Sequence, residues 1–301
     1  MIKIVSDSSA LYSKEEGQVK GISILPLIVT INGSTYNEYE DIKTKEFIDI
    51  INEGHIPVSS QPAIGEVLNV YNENEDCEII ISDSESHQYV GRGALKLKGA
   101  FECFDICVKN RYCADIGAST GGFTQVLLEN GAEKVYAIDV GHGQLAKELD
   151  DDKRVKNCEG VNVREVVPEF FSEPIEFMCG DLSFISLKLV IPPLKECLAE
   201  NGEMIMLIKP QFEAGRKALN KKGIVKNKKD HIRVMHELFE LFESCGLELL
   251  GIVPSPIKGG DGNIEYLAHL KKTDLPFQNI GKINIKEFVD SVFLKFSKAE
   301  L

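Results

Sequence analysis

The chain has 301 residues, 43% of them hydrophobic, with a formal net charge of −13, which is enough to bury a sizeable core in one large or two ordinary domains. No apolar run approaches the roughly 20 residues of a membrane span, and Met1-Ile2-Lys3-Ile4-Val5-Ser6-Asp7 lacks a basic segment followed by an apolar one, so a cytoplasmic protein without membrane contact is expected. Residues 1–85 hold 5 Lys and no Arg against 16 Asp and Glu, a net of −11, whereas the remainder is near balance with 29 basic and 31 acidic residues, so the whole-chain charge does not exclude nucleic acid.

The eight cysteines are scattered, several inside apolar runs and with no C-x-x-C pair, and they read as reduced core residues without zinc or redox chemistry. In chain order, residues 2–5 read as a short strand, Ser6-Asp7-Ser8-Ser9 as a polar turn, and Ile22 to Ile31 as a β-rich run broken by Asn32-Gly33. Thr44 can cap a helix carrying Phe47, Ile48, Ile50 and Ile51 and ending at Gly54, and Ser60 can cap another through Pro62, Val67, Leu68 and Tyr71. A strand at Glu78 to Ile81 completes a small α/β lobe. The segments IVSDSS, ISILPLIVTINGSTY and PVSSQPAIGE resemble the N-terminal part of the DegV fatty-acid-binding family over about residues 1–82. The resemblance implies that Ser59 helps hold a lipid carboxylate. That family encloses its acyl chain with a second lobe, and here the sequence changes character after Ser82, so this truncated segment is not expected to bind fatty acid. Residues 83–88, DSESHQ, read as a linker.

From Tyr89 to Phe104 the chain reads as a helix with Leu95, Ala100, Phe101 and Phe104 at mainly helical spacing. Tyr112 to Thr124, YCADIGASTGGFT, is a strand, a glycine-rich turn and a helix start, where backbone N–H groups can approach a ligand that a β-carbon would exclude. A second strand, Val135 to Ile138, ends in Asp139, 24 positions after Asp115, near the distance at which a carboxylate meets ribose hydroxyls. The glycine pattern is G-x-x-x-G-G rather than G-x-G-x-x-G. It therefore points to a nucleoside without phosphates, such as S-adenosylmethionine, the alternative being a purely structural turn. Asp115, Gly117, Ala118, Ser119, Gly121, Gly122, Phe123 and Asp139 are the candidate cofactor residues, with Asn162, after a third strand, facing an adenine.

Strand Ile175 to Cys179 delivers Asp181, a helix spans Ile185 to Leu198, and strand Glu203 to Ile208 delivers Lys209. Then comes a basic cluster of Arg216, Lys217, Lys221, Lys222, Lys226, Lys228, Lys229 and Arg233, suited to a phosphate backbone or to a solvated loop. A long helix with Ile232, Met235, Leu238, Phe239 and Phe242 inward, strands Leu247 to Val253 and Glu265 to Leu270, and a final helix capped by Asn284 complete the chain. Alternating strands and helices predict a Rossmann-like, mostly parallel sheet covered on both faces, with Asp115, Asp139, Asp181 and Lys209 at carboxyl ends of strands, converging on one crevice.

RGALKL, DIGASTGGFT, VYAIDVGHGQL, GDLSFISL, IKPQFE and GNIEYL, in that order over residues 89–271, resemble the hemolysin A (TlyA) family of ribosomal RNA 2′-O-ribose methyltransferases, which is similar to the FtsJ-like group. The resemblance implies S-adenosylmethionine as cofactor, ribosomal RNA within an assembled subunit as partner, and a catalytic tetrad of Lys96, Asp181, Lys209 and Glu265. It places the methyltransferase domain at residues 89–301. That family begins with a small S4-type RNA-binding module, whose place the DegV-like segment takes here. A fatty-acid-binding protein and a small-molecule methyltransferase are the competing readings.

Overall fold

The computed structural model describes residues 4–8, 12–31, 34–42, 44–53, 58–60, 88–259 and 262–298. The chain divides into two compact units, Met1–Ser82 and Asp83–Leu301. In the first, β1 (Ile4–Asp7) and β2 (Ile22–Leu25) pair in parallel around helix α1 (Lys14–Val19). Sequence reading left α1 out, although its signal is present. Ser13 Oγ accepts from the Glu16 amide while the Glu16 carboxylate accepts from the Ser13 amide, a capping box in S-x-x-E spacing.

The β-rich run from Ile22 to Ile31 is two strands in two sheets. Pro26, which has no N–H to offer a ladder, separates β2 from β3 (Ile28–Ile31), and β3 pairs antiparallel with β4 (Ser34–Asn37) and β5 (Val58–Ser60). Buried Ser8 ties these parts together, donating to Glu38 at 2.6 Å and accepting from the Leu27 amide at 2.9 Å. Helix α2 spans Thr44–Asn52. Ser60 is the last residue of β5. The helix expected through Pro62 to Tyr71, the strand at Glu78 to Ile81 and residues 83–87 of the linker lie outside the described residues.

The second unit is built on a seven-stranded sheet. Its strands are β6 (Tyr112–Ile116), β7 (Lys134–Asp139), β8 (Val155–Glu159), β9 (Ile175–Gly180), β10 (Leu198–Ile208), β11 (Leu247–Pro254) and β12 (Tyr266–Lys272), in the order β11-β12-β10-β9-β6-β7-β8. Strands β10, β9, β6, β7 and β8 run parallel, and β12 is antiparallel to both β10 and β11. The strand order reverses between β6 and β9, so a crevice opens there at the carboxyl ends.

Along β10 the residues alternate between two cores, as a period of two requires. Met204, Met206 and Ile208 enter one with helices α6 (Leu187–Cys197), α8 (Lys228–Ser244) and α9 (Ile285–Lys298). Ile205 and Leu207 enter the other with α3 (Ala94–Cys103) and α4 (Gly122–Glu129). Both faces of the sheet are thus covered, which is why its strands read as continuous apolar runs. Short helices α5 (Lys147–Asp150) and α7 (Pro210–Glu213) lie in connections. Cys113, Cys158, Cys179 and Cys197 are buried, but Cys103 and Cys107 are exposed, so the expectation of a uniformly buried set does not hold. Cys103 is the last residue of α3 and Cys107 lies four residues beyond it. Among the described residues, no helix is long and apolar enough to cross a membrane.

Candidate active site

The turn between β6 and α4 is shaped by backbone conformation. Gly117 has φ of 83° and Gly121 of 95°, while Ser119 holds a left-handed φ of 49°, a cost borne where surroundings fix the backbone. A Cβ on Gly117 would stand 3.1 Å from the Asp181 carbonyl oxygen, so glycine lets this turn lie against the end of β9. Gly122 does the same for α3, since a Cβ there would meet the Ala94 amide nitrogen at 2.9 Å. Gly121 instead packs on Leu145 and Leu149.

Asp115 lies beneath the turn, 1% exposed, and does not line the crevice with Asp139, Asp181 and Lys209. One of its oxygens accepts from both the amide and the hydroxyl of Thr124 at 2.8 Å, pinning α4 to β6, and the other is buried without a partner. Burial pushes its carboxyl up to about 7, against the two Thr124 hydrogen bonds that favour the charged form. Its position is that of a brace for the turn.

Two adjoining cavities open at the carboxyl ends of the strands. One, of about 600 Å³, is lined by Gly117, Ser119, Asp139, Asn162, Leu182 and Ile185 among others. The Asp139 oxygens accept from the amides of Ser119 and Gly141, both at 2.8 Å. Each carboxylate oxygen has room for a further donor. A carboxylate with spare acceptor capacity between apolar walls and a bare backbone turn fits a nucleoside with a free ribose diol, and so fits S-adenosylmethionine. The Asn162 side chain is already engaged, accepting from Arg164 and donating to Glu165, so it contributes a wall rather than a free amide.

The other cavity, of about 810 Å³, is lined by Lys96, Asp181, Lys209, Gln211, Phe212 and Glu265, with Ala118, Gly122 and Phe123 behind them. The structure brings Lys96, Asp181, Lys209 and Glu265 into one network. Lys96 donates to Asp181 Oδ2 and to Glu265 Oε2, each at 2.9 Å, and Lys209 Nζ stands 2.6 Å from Asp181 Oδ1. Four elements supply these groups: α3 carries Lys96, the ends of β9 and β10 carry Asp181 and Lys209, and the start of β12 presents Glu265. Glu265 precedes β12, which runs opposite to β10 and so brings its first residues to the same end of the sheet.

Burial alone would push the Lys96 ammonium down, but Asp181 and Glu265 outweigh it and hold it above its ordinary value. Burial would likewise raise Asp181, and Lys96 and Lys209 more than offset that, holding its carboxyl below the usual range. Among the described residues no group of three or more His, Cys, Asp or Glu side chains is placed to hold a metal ion.

The FtsJ-like methyltransferase family model matches residues 89–272. The chain belongs to the FtsJ-like methyltransferase family. A model of the uncharacterised DegV family matches residues 1–89. This FtsJ-like methyltransferase is 46% identical over 184 residues to YqxC of Bacillus subtilis, a candidate rRNA methyltransferase, an alignment covering 61% of the chain and 66% of YqxC. It is 38% identical to the 16S/23S rRNA (cytidine-2′-O)-methyltransferase TlyA of Mycobacterium tuberculosis, over 74% of the chain and 82% of TlyA. A solved structure of a candidate hemolysin from Streptococcus thermophilus superposes with a TM-score of 0.68 at 36% identity, covering 96% of this chain and 94% of that one.

Several site residues of the FtsJ-like methyltransferase escaped sequence reading. Gln211 donates to Glu265 Oε1 at 2.9 Å, Ser183 Oγ accepts from Lys209 Nζ at 2.9 Å, and Asn263 accepts from the Val225 amide at 3.2 Å, fastening the basic loop beside the cavity. Phe184, 91% exposed with φ of 62°, lines both cavities and lies 5.1 Å from the Phe212 ring.

Proposed function

We propose that this chain uses S-adenosylmethionine to methylate a ribose 2′-hydroxyl of ribosomal RNA within an assembled ribosomal subunit, in the cytoplasm. The observation that carries the reading is the buried Lys96–Asp181–Lys209–Glu265 network on a cavity that adjoins the nucleoside-sized one, with Asp181 lining both. The names of TlyA and YqxC supply the RNA.

A ribose hydroxyl is a poor nucleophile, so the site must position it and take its proton. S-adenosylmethionine, when bound, supplies an activated methyl group. Lys209 accepts the hydroxyl proton. Lys96, kept as an ammonium by its two carboxylates, stabilises negative charge growing on the ribose oxygen. Asp181 pairs with both lysines, and Glu265, held by Gln211, orients Lys96. The exposed face of Phe184 at the cavity rim offers a platform on which an unstacked base can rest.

In the nucleoside cavity Asp139 holds the ribose diol. Asp139→Ala is expected to weaken S-adenosylmethionine binding by a few kcal/mol, the cost of losing charge-assisted hydrogen bonds to two hydroxyls. Calorimetry checks it, and an unchanged affinity would remove Asp139 from the site.

Assembled subunits should be methylated far better than matched naked RNA. Affinity for a polyanion comes largely from neutralised phosphates, and the exposed Arg216, Lys217, Lys221, Lys222 and Lys226 offer only a handful of contacts. Residues 1–85, with a net of −11, work against binding a polyanion. Shape complementarity with a folded particle supplies the remainder. Methyl transfer to naked RNA and to purified subunits across a salt series, with product mapped by mass, tests both the reaction and the substrate. Equal efficiency on naked RNA would overturn the preference for subunits, and absence of 2′-O-methylated product on either would overturn the function.

A further inference from the structure

We infer that Ser183 is a positioning residue that fixes the direction in which Lys209 presents its lone pair. The inference rests on the reading of Lys209 as the proton acceptor. A neutral amine has two N–H bonds and one lone pair, and rotation about Cε–Nζ sweeps that lone pair around a cone. Something directional must stop the rotation for the lone pair to face a hydroxyl in the cavity.

Asp181 does not supply that direction. Its Oδ1 lies 2.6 Å from Lys209 Nζ as an ion pair, yet the contact does not meet hydrogen-bond alignment, and that buried oxygen has no aligned donor. The Phe212 ring, with its centroid 5.7 Å from Nζ, attracts charge with little angular demand. The aligned hydrogen bond is the one to Ser183 Oγ, at 2.9 Å. Asp181 therefore holds the amine electrostatically while Ser183 sets its orientation. With one N–H on the serine and the other beside the carboxylate, one tetrahedral position of Nζ remains for the lone pair, and Lys209 and Ser183 both line the cavity.

The place of Ser183 in the fold suits this role. It lies three residues beyond the end of β9, immediately before Phe184, whose left-handed φ of 62° turns the chain, and it is exposed while Lys209 is buried. An exposed loop serine ordinarily tolerates loss of its hydroxyl. Here the hydroxyl is the directional partner of a buried lysine, so its loss should be felt at the chemical step.

The test uses the full chain carrying Ser183→Ala, Ser183→Thr, Lys209→Ala and the Ser183→Ala/Lys209→Ala pair, assayed for kcat and KM on ribosomal subunits. Ser183→Ala should lower kcat about tenfold, the equivalent of one lost hydrogen bond of about 1.4 kcal/mol, with KM for the subunit unchanged. Ser183→Thr, which keeps the hydroxyl, should recover most of the loss. In the Lys209→Ala background, Ser183→Ala should cost nothing further, because the residue acts only through the amine. A wild-type kcat in Ser183→Ala, failure of threonine to rescue, or an additive loss in the pair would each overturn the inference while leaving the function standing. A wild-type chain inactive on subunits would instead sink the function and this inference with it.

Discussion

Lys209→Ala is expected to lower methyl transfer by about 10²–10⁴-fold, the usual contribution of a positioned proton acceptor, while S-adenosylmethionine affinity stays within a few fold. The two lysines of the network differ in what surrounds them. Lys96 faces two carboxylates at 2.9 Å each and is held above its ordinary value, so it stays charged and serves as an electrostatic partner. Lys209 faces one carboxylate and one hydroxyl and lines the cavity beside Phe212. Neither Asp139 nor the Gly117 turn touches Lys209 in any described contact, so truncating it should spare the nucleoside cavity. Single-turnover methyl transfer alongside calorimetry separates the two effects. Activity above about a tenth of wild type would exclude Lys209 as the proton acceptor.

Much of the methyltransferase unit is legible because its signals are local. The β6 turn announces itself through glycines at positions where positive φ is needed, and Asp139 and Lys209 mark strand ends by closing apolar runs. What was not legible depends on tertiary contact. Asp115 sits at a strand end like Asp139, yet Thr124 takes its carboxylate into the turn and away from the crevice. Nothing in the spacing distinguishes the two, because the difference lies in whether a hydroxyl one helical turn into α4 points back. Gln211 was invisible for a related reason. Its role is conferred by Glu265, 54 positions away, which the antiparallel return of β12 alone brings near. In the N-terminal unit Pro26 was the overlooked break. Ile22 to Ile31 is apolar enough to pass as one run, and only the missing N–H shows that the ladder must end there.

Lys96→Met should destabilise the methyltransferase unit by about 3–5 kcal/mol, as removal of one partner from a buried ion network generally does. Lys96 is 7% exposed and Glu265 2%, and each Lys96 contact goes to a carboxylate that water does not reach freely. Methionine fills most of the lysine's volume, so the loss comes from charge rather than from a cavity. Glu265 would be left with Gln211 as its described partner, and Asp181 with Lys209. The destabilisation should grow as pH rises through the carboxylate range. Lys96 helps hold Asp181 below the usual carboxylate range, a contribution present above the unfolded value and lost as pH falls, so at acidic pH the difference between variant and wild type narrows. Adding Glu265→Gln removes the stranded charge and keeps an amide that can still meet Gln211, so the double variant should recover a substantial part of the loss, although methyl transfer stays impaired. Urea unfolding followed by far-ultraviolet circular dichroism, run for the wild type, both single variants and the pair, gives the coupling directly. A single variant within about 1 kcal/mol of wild type, or a double variant no better than Lys96→Met, would mean that these charges reach water and that the network does not hold the site together.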